Sequence, residues 1–285
     1  MSCSTTYKPS FPGWLAGLLL LGTVSCQSVG EKSQPTAANV SVLPPVLADT
    51  VKPIAAAPAD SLLPTVLAPV PGLSDSLRRE VAALYQALGA EAQALRLSVL
   101  ERACVGYLTL RHAGRIGRPR VLAVVDMDLP STEKRLWVLD LSKKQVLHRS
   151  YVAHGRGSGQ LRARRFSNRI KSACTALGFY RTADTYGGKH GLSRRLHGLD
   201  AGQNSNALSR YVVLHGADYA GQDYLNAHGQ LGYSRGCPAL PPEQYRVIIK
   251  AVGEGACLFL SGPGLESKWL DGATAGRQLA ARGWR

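Results

Sequence analysis

Tyr211-Val212-Val213-Leu214-His215-Gly216, followed at a short interval by Ser234-Arg235-Gly236-Cys237-Pro238-Ala239, decides how this chain is read. The first segment is a β-branched apolar run, a strand signal, and it delivers His215 to a strand end. The second holds a thiol in a tight Ser-Xaa-Gly turn. A free thiol has a pKa near ~8.5, so a neighbouring imidazole or cation is needed to raise the thiolate fraction. His215 and Arg235 are the candidates. Gly236 leaves room for a substrate carbonyl and lets backbone N–H groups around Gly236 and Cys237 converge on an oxyanion. These residues fit cysteine acyl transfer, with Cys237 as nucleophile and His215 as general base. A second loop histidine, His228, lies between them and reads as solvated.

Outward from this pair the patterning is mixed. Upstream, Leu77, Val81, Leu84, Leu88, Ala92, Leu95 and Val99 recur at steps of three or four, the apolar stripe of a helical segment that Gly89 splits in two. A helix continues from Leu97 to His112 and stops at Gly114. Beyond Gly117 the runs Arg120–Leu129, Leu136–Leu141 and Val146–Ala153 read as strands, with a hairpin at Ser142-Lys143-Lys144. Further strands are expected at Leu177–Thr182, Arg210–His215 and Ala256–Ser261. A helix starts at Pro241-Pro242-Glu243 and buries Tyr245, Ile248, Ile249 and Val252.

At 285 residues and 45% hydrophobic content the chain accommodates one sizeable domain with appendages. Its 34 Lys+Arg against 19 Asp+Glu give a net charge of +15, dispersed along the sequence. No basic-aromatic interleaving or basic helix accompanies the charge, so nucleic acid is set aside in favour of an anionic envelope surface or an acidic peptide. Residues 1–26 read as a signal peptide: Lys8 is basic, and Trp14 to Val24 is apolar but too short to span a bilayer. Thr23-Val24-Ser25-Cys26 resembles a lipoprotein processing site with Cys26 as lipid acceptor, which puts the mature chain in the envelope or outside the cell. Half of the chain's 16 prolines fall between Pro35 and Pro71, making residues 27–72 an extended tether. The remaining thiols, Cys104, Cys174 and Cys257, allow one disulfide or three free cysteines.

Several blocks in order extend the pattern: Ala153-His154-Gly155-Arg156-Gly157-Ser158-Gly159, Phe166-Ser167-Asn168, Leu177-Gly178-Phe179-Tyr180, Gly188-Lys189-His190-Gly191-Leu192-Ser193 and Leu196-His197-Gly198-Leu199-Asp200. With His215-Gly216 and Ser234 to Ala239, they resemble the L,D-transpeptidases of the YkuD-like superfamily, specifically the murein L,D-transpeptidase catalytic domain branch, over residues 97–262. The resemblance implies an α+β fold: a mainly antiparallel β catalytic domain (118–263) after an N-terminal helical segment (73–117), with a polar tail at 264–285. It implies a thioester acyl-enzyme on Cys237, and peptidoglycan stem peptides as substrate. It also implies that the carbonyl of Gly216 orients His215, and it calls for no cofactor or metal. Many members carry His where this chain has Arg235. Arginine cannot shuttle protons at neutral pH, so the proton transfers fall on His215.

Arg235, Ser234, His154, Asn168, Ser172 and Lys189 are candidate substrate contacts, and the Gly-rich blocks are expected to form tight loops near the substrate. Water in place of an acceptor amine makes the same site an L,D-carboxypeptidase, or one that attaches or releases an envelope protein. Two other classes fit the residues less well. A zinc amidase using His154, His190, His197 or Asp200 lacks any HxH or HExxH spacing. A non-catalytic peptidoglycan-binding lipoprotein sits poorly with an intact His215, Gly236 and Cys237.

Overall fold

Ser74 starts the first helix. In the computed structural model, which describes residues 65–117 and 120–284, its Oγ accepts the Leu77 N–H at 3.2 Å and caps α1 (Asp75–Ala87). Gly89, at φ +72°, turns the chain, and α2 (Leu97–His112) follows. The stripe from Leu77 to Val99 is buried throughout. Gly106 sits in the middle of α2, where glycine costs about 1 kcal/mol relative to alanine. Its reason is contact: a Cβ there would fall 1.9 Å from the Phe179 ring. Phe179 in turn stacks on Phe259 with ring centroids 4.3 Å apart, so the bare helix face lies directly on the sheet.

The strands are β1 (Val121–Asp126), β2 (Leu136–Asp140), β3 (Gln145–Ser150), β4 (Gly178–Gly188), β5 (Gly191–Gly198), β6 (Val213–Gly216), β7 (Ala239–Leu240) and β8 (Cys257–Ser261). They form one sheet in the order β3-β2-β1-β8-β4-β5-β6-β7. Pairing is antiparallel except at β1–β8 and β6–β7, so the fold is the expected α+β arrangement of a helical segment and a mainly antiparallel sheet. Every residue of β1 and β8 is buried, which requires cover on both faces. Both α2 and α4 (Tyr245–Val252) pack on β1. The β2–β3 hairpin turns where expected: Asp140 Oδ1 accepts the Ser142 and Lys143 N–H groups at 3.0 and 2.9 Å.

An ionic clamp joins helix to sheet. Arg96, just before α2, donates Nε and Nη2 to the two oxygens of Asp126 at 2.7 and 2.8 Å. Asp128 lies 3.1 Å from Arg96 and 3.0 Å from Arg164. Both aspartates are fully buried.

The structure corrects the sequence reading in four places. The Gly-rich blocks around residues 188–198 are not loops: β4 and β5 form a long hairpin closed at Gly188–Gly191. Strand β6 begins at Val213 rather than Arg210, because Tyr211 adopts the left-handed φ of +55° and breaks the run. The tail contains α5 (Gly272–Arg282), capped by Asp271 on the Thr274 N–H at 3.1 Å. It seats against residues 72–73 because a Cβ on Gly272 would meet Leu73 N at 2.4 Å. The end of the expected tether is also bound: Thr65 N–H reaches Asp128 at 2.5 Å, Ala68 O accepts from Arg102 at 2.8 Å, and Val70 is buried. The expected signal peptide, Cys26 and the rest of the tether lie outside the described residues.

Candidate active site

β6 carries His215 between two neighbours. In β5 it pairs with Ser193, and in β7 with Ala239, two residues beyond Cys237. The parallel β6–β7 pairing therefore brings the end of the histidine strand beside the exit of the cysteine turn. A third segment seals the arrangement through isolated bridges, Ala153 with Ala239 and Gly155 with Ser234. Cys237 and His215 line one cleft of about 650 Å³.

His215 is buried, and its Nδ1 donates to Gly216 O at 2.9 Å. A carbonyl only accepts, so the proton sits on Nδ1 and Nε2 is left as the base. Gly216 itself is held bare: a Cβ there would be 2.6 Å from the Tyr245 ring, which packs the turn from α4. Burial lowers the His215 pKa, with His190 and Lys189 adding to the fall against the raising effect of the Gly216 bond. The His190 ring lies 4.5 Å from that of His215, centroid to centroid.

The Cys237 sulfur faces Tyr211 O at 3.6 Å. Burial raises the thiol pKa, while the Val213 N–H and the charge of Arg210 pull it down. Both shifts favour the uncharged forms of the two groups.

The turn before the thiol is built by Ser234 and Gly236. Ser234 Oγ donates to Cys237 O at 2.7 Å and accepts the Gly236 N–H at 3.0 Å. The Gly236 N–H is therefore engaged inside the turn. Gly236 is required for its φ of +123° and because a Cβ would meet Cys174 O at 2.6 Å.

Of the candidate substrate contacts, Arg235, Ser234 and Lys189 line the cleft. His154, Asn168 and Ser172 do not. His154 is fully buried, accepting from Arg135 Nη2 at 2.8 Å and facing Gly159 O at 3.3 Å. Burial, with the Arg135 charge, drives its pKa down to about 3. Asn168 clasps the next loop, bonding Ser205 Oγ and the Asn206 N–H at 3.0 and 2.9 Å. The Ser172 hydroxyl accepts from the Cys174 N–H and from Arg210, both at 3.3 Å. His228 stacks on Tyr224, away from the cleft. Cys104, Cys174, Cys237 and Cys257 are all free thiols, the second of the two possibilities.

The sequence reading overlooked Lys171, Arg210 and Tyr211, which also line the cleft, as does His190 from one of the Gly-rich blocks. Among the described residues no Asp or Glu lines it, so this lining is cationic and suits an anionic ligand. Arg210 had a signal in its place immediately before the histidine strand; Lys171 had none.

The family model described as L,D-transpeptidase catalytic domain matches residues 91–261. This covers more than half of the sequence, and the chain belongs to that family. Solved structures similar to it include an L,D-transpeptidase from Mycobacterium smegmatis, at 15% identity and TM-score 0.31, covering 50% of this chain and 59% of that one. An L,D-transpeptidase from Mycobacterium tuberculosis H37Rv gives 16% and 0.33, covering 50% and 58%. L,D-transpeptidase 3 from Mycobacterium tuberculosis gives 14% and 0.33, covering 50% and 61%. The match thus spans less than two thirds of the length of each of these chains. Comparison with curated proteins gives no match.

Proposed function

We propose that this protein is a cysteine L,D-transpeptidase acting on the tetrapeptide stems of peptidoglycan. The observation that carries the reading is the pair Cys237 and His215 on one cationic cleft, with the imidazole fixed by Gly216 O. His215 Nε2 takes the thiol proton as sulfur attacks the carbonyl of the third stem residue. The Cys237 N–H faces the developing oxyanion. The bond to the terminal D-Ala breaks, its amine leaves with the proton held by His215, and a thioester remains. An amine of a second stem then attacks the thioester and passes its proton through His215, freeing the thiol and closing a 3–3 crosslink. Lys189 and Arg235 supply charge for the stem carboxylates. In the same reading the chain works in the cell envelope, tethered through a lipid on Cys26.

Intact-protein mass spectrometry of the full chain with a purified tetrapeptide muropeptide tests this, beside Cys237→Ala. A tripeptide-muropeptide adduct on the parent, absent from the variant, supports acyl transfer, and the released product names the acceptor as amine or water. A folded parent with a titratable Cys237 thiol, but with neither adduct nor product, would sink the reading.

A further inference from the structure

Arg210 is half-buried in the wall of the Cys237 cleft, one residue before the left-handed turn at Tyr211. Its guanidinium forks. Nη1 donates to Ser167 O at 2.7 Å, while Nη2 donates to Cys174 O at 2.5 Å and to Ser172 Oγ at 3.3 Å. The same Nη2 lies 2.8 Å from the point where a Cβ on Gly236 would stand. One cation therefore ties down both ends of the 167–174 loop and occupies the space beside Gly236 that a side chain there would fill. The missing side chain at Gly236 is what leaves room for the guanidinium next to the Cys237 turn.

We propose that Arg210 is a positioning residue for the nucleophile that acts through its charge: its bonds to the 167–174 loop keep a cation beside the Gly236 turn, and that cation stabilises the Cys237 thiolate. The use of that thiolate in acyl transfer rests on the function proposed above, whereas the effect on the thiol itself does not depend on any substrate. Lys171, Lys189, His190, His215 and Arg235 also line the cleft, and the direction of the Arg210 effect agrees with the lowering its charge exerts on the thiol pKa. Lysine at this position would keep the charge and lose the planar fork; glutamine would keep hydrogen bonding and lose the charge.

The test is site-resolved alkylation of the full chain. Parent, Arg210→Gln and Arg210→Lys proteins are treated with iodoacetamide from about pH 5 to about pH 10, and the tryptic peptide beginning at Gly236 is quantified by mass spectrometry. That peptide excludes Cys174, which lies in another fragment. We expect the Arg210→Gln profile to move to higher pH, with alkylation of Cys237 near neutrality about tenfold slower, one pKa unit. Arg210→Lys should stay within about threefold of the parent, because the charge remains. A glutamine profile superimposed on the parent overturns the proposal, as does a lysine variant slowed as far as glutamine. If Arg210→Gln does not fold, the lysine variant decides alone, since a tenfold slowing with the charge in place contradicts the assignment. A shifted thiol profile with no muropeptide adduct on the parent would retain the Arg210 role and remove the transpeptidase one.

Discussion

Gly155 lies flat against Gly236. A methyl group on Gly155 would stand 2.9 Å from the Gly236 nitrogen and 2.3 Å from Ala173 O. Three backbones meet here with no side chain between them: the segment after β3, the 167–174 loop and the turn that presents the thiol.

Substituting Gly155 with alanine therefore pushes on the Cys237 turn without touching the thiol. Overpacking of this kind costs about 1–3 kcal/mol, and the displaced turn should slow acylation of Cys237 at least tenfold, a loss matched by a misplacement of well under 1 Å. Thermal unfolding and adduct formation, measured on the same preparation, check both halves. Full acylation by a destabilised Gly155→Ala protein would show that the turn does not depend on this contact.

The opposite pKa shifts of Cys237 and His215 set the expected pH response. Burial raises the thiol pKa and lowers that of the imidazole. Acylation should thus keep climbing above the ordinary thiol value of ~8.5, while the acid limb due to His215 falls below ~6.5. Rapid-quench mass spectrometry across that range reads the profile. A plateau reached by pH ~6 would mean a preformed ion pair instead. His215→Ala should lose about 10²–10⁴-fold in acylation, yet keep a Cys237 thiol that alkylates at high pH.

Two buried groups should oppose each other in the dependence of stability on pH. His154 has its folded pKa depressed to about 3, so the unfolded chain binds the proton first. Its contribution is present above ~6.5 and is lost as pH falls below that value. Asp200 is the reverse: burial lifts its pKa to about 6, against the bonds from Ser267 and the Phe179 N–H, so stability falls as pH rises from ~3.8 to that value. The parent should be nearly flat where the windows overlap. His154→Gln should show stability decreasing with pH there, and Asp200→Asn stability increasing with it, each by up to about 1.4 kcal/mol per pH unit. Urea titrations at several pH values measure the slopes, and equal slopes in both variants would refute the assignment.

Removing Arg96 strands Asp126, a fully buried carboxylate. Arg96→Met should cost about 3–5 kcal/mol, whereas an apolar pair replacing both residues should recover much of that loss. A double-mutant cycle by chemical denaturation decides. A cost below about 1 kcal/mol for the single change would place this pair with surface ion pairs.

Much of this molecule is legible in its sequence because periodicity and short motifs report local physics. The Leu77-to-Val99 stripe marks α1 and the entry to α2, and the β-branched runs mark β1, β2, β3 and β8. The His215 and Cys237 elements mark the two sides of the cleft. What escaped reading depends on partners distant in sequence. His154 sits in a Gly-rich block that invites a binding role, yet Arg135, nineteen positions earlier by numbering, buries it. Asn168 and Ser172 look available until residues 205–210 fold onto them. Gly236 N–H looks free until Ser234 turns back to claim it. Tyr211 gives no local warning of its left-handed backbone, because the residue type disfavours that conformation, and what holds it is the turn bonding of the Tyr211 and Val212 N–H groups to Leu208 O and Ala207 O.

The position of β8 governs when the protein can finish folding. It lies between β1 and β4, bonded in parallel to one and antiparallel to the other, so it is the seam joining a three-stranded meander to the half of the sheet that bears the cleft. Until residues 257–261 emerge from synthesis, β1 and β4 are both open edges, and neither half can close on the other. The residues of the cleft are all made before that strand, yet their scaffold is completed only by it. Assembly therefore waits on a contact of long sequence separation, which slows folding and prolongs the exposure of unpaired edges. The cleft is completed late in its own making, by a strand that supplies none of its lining.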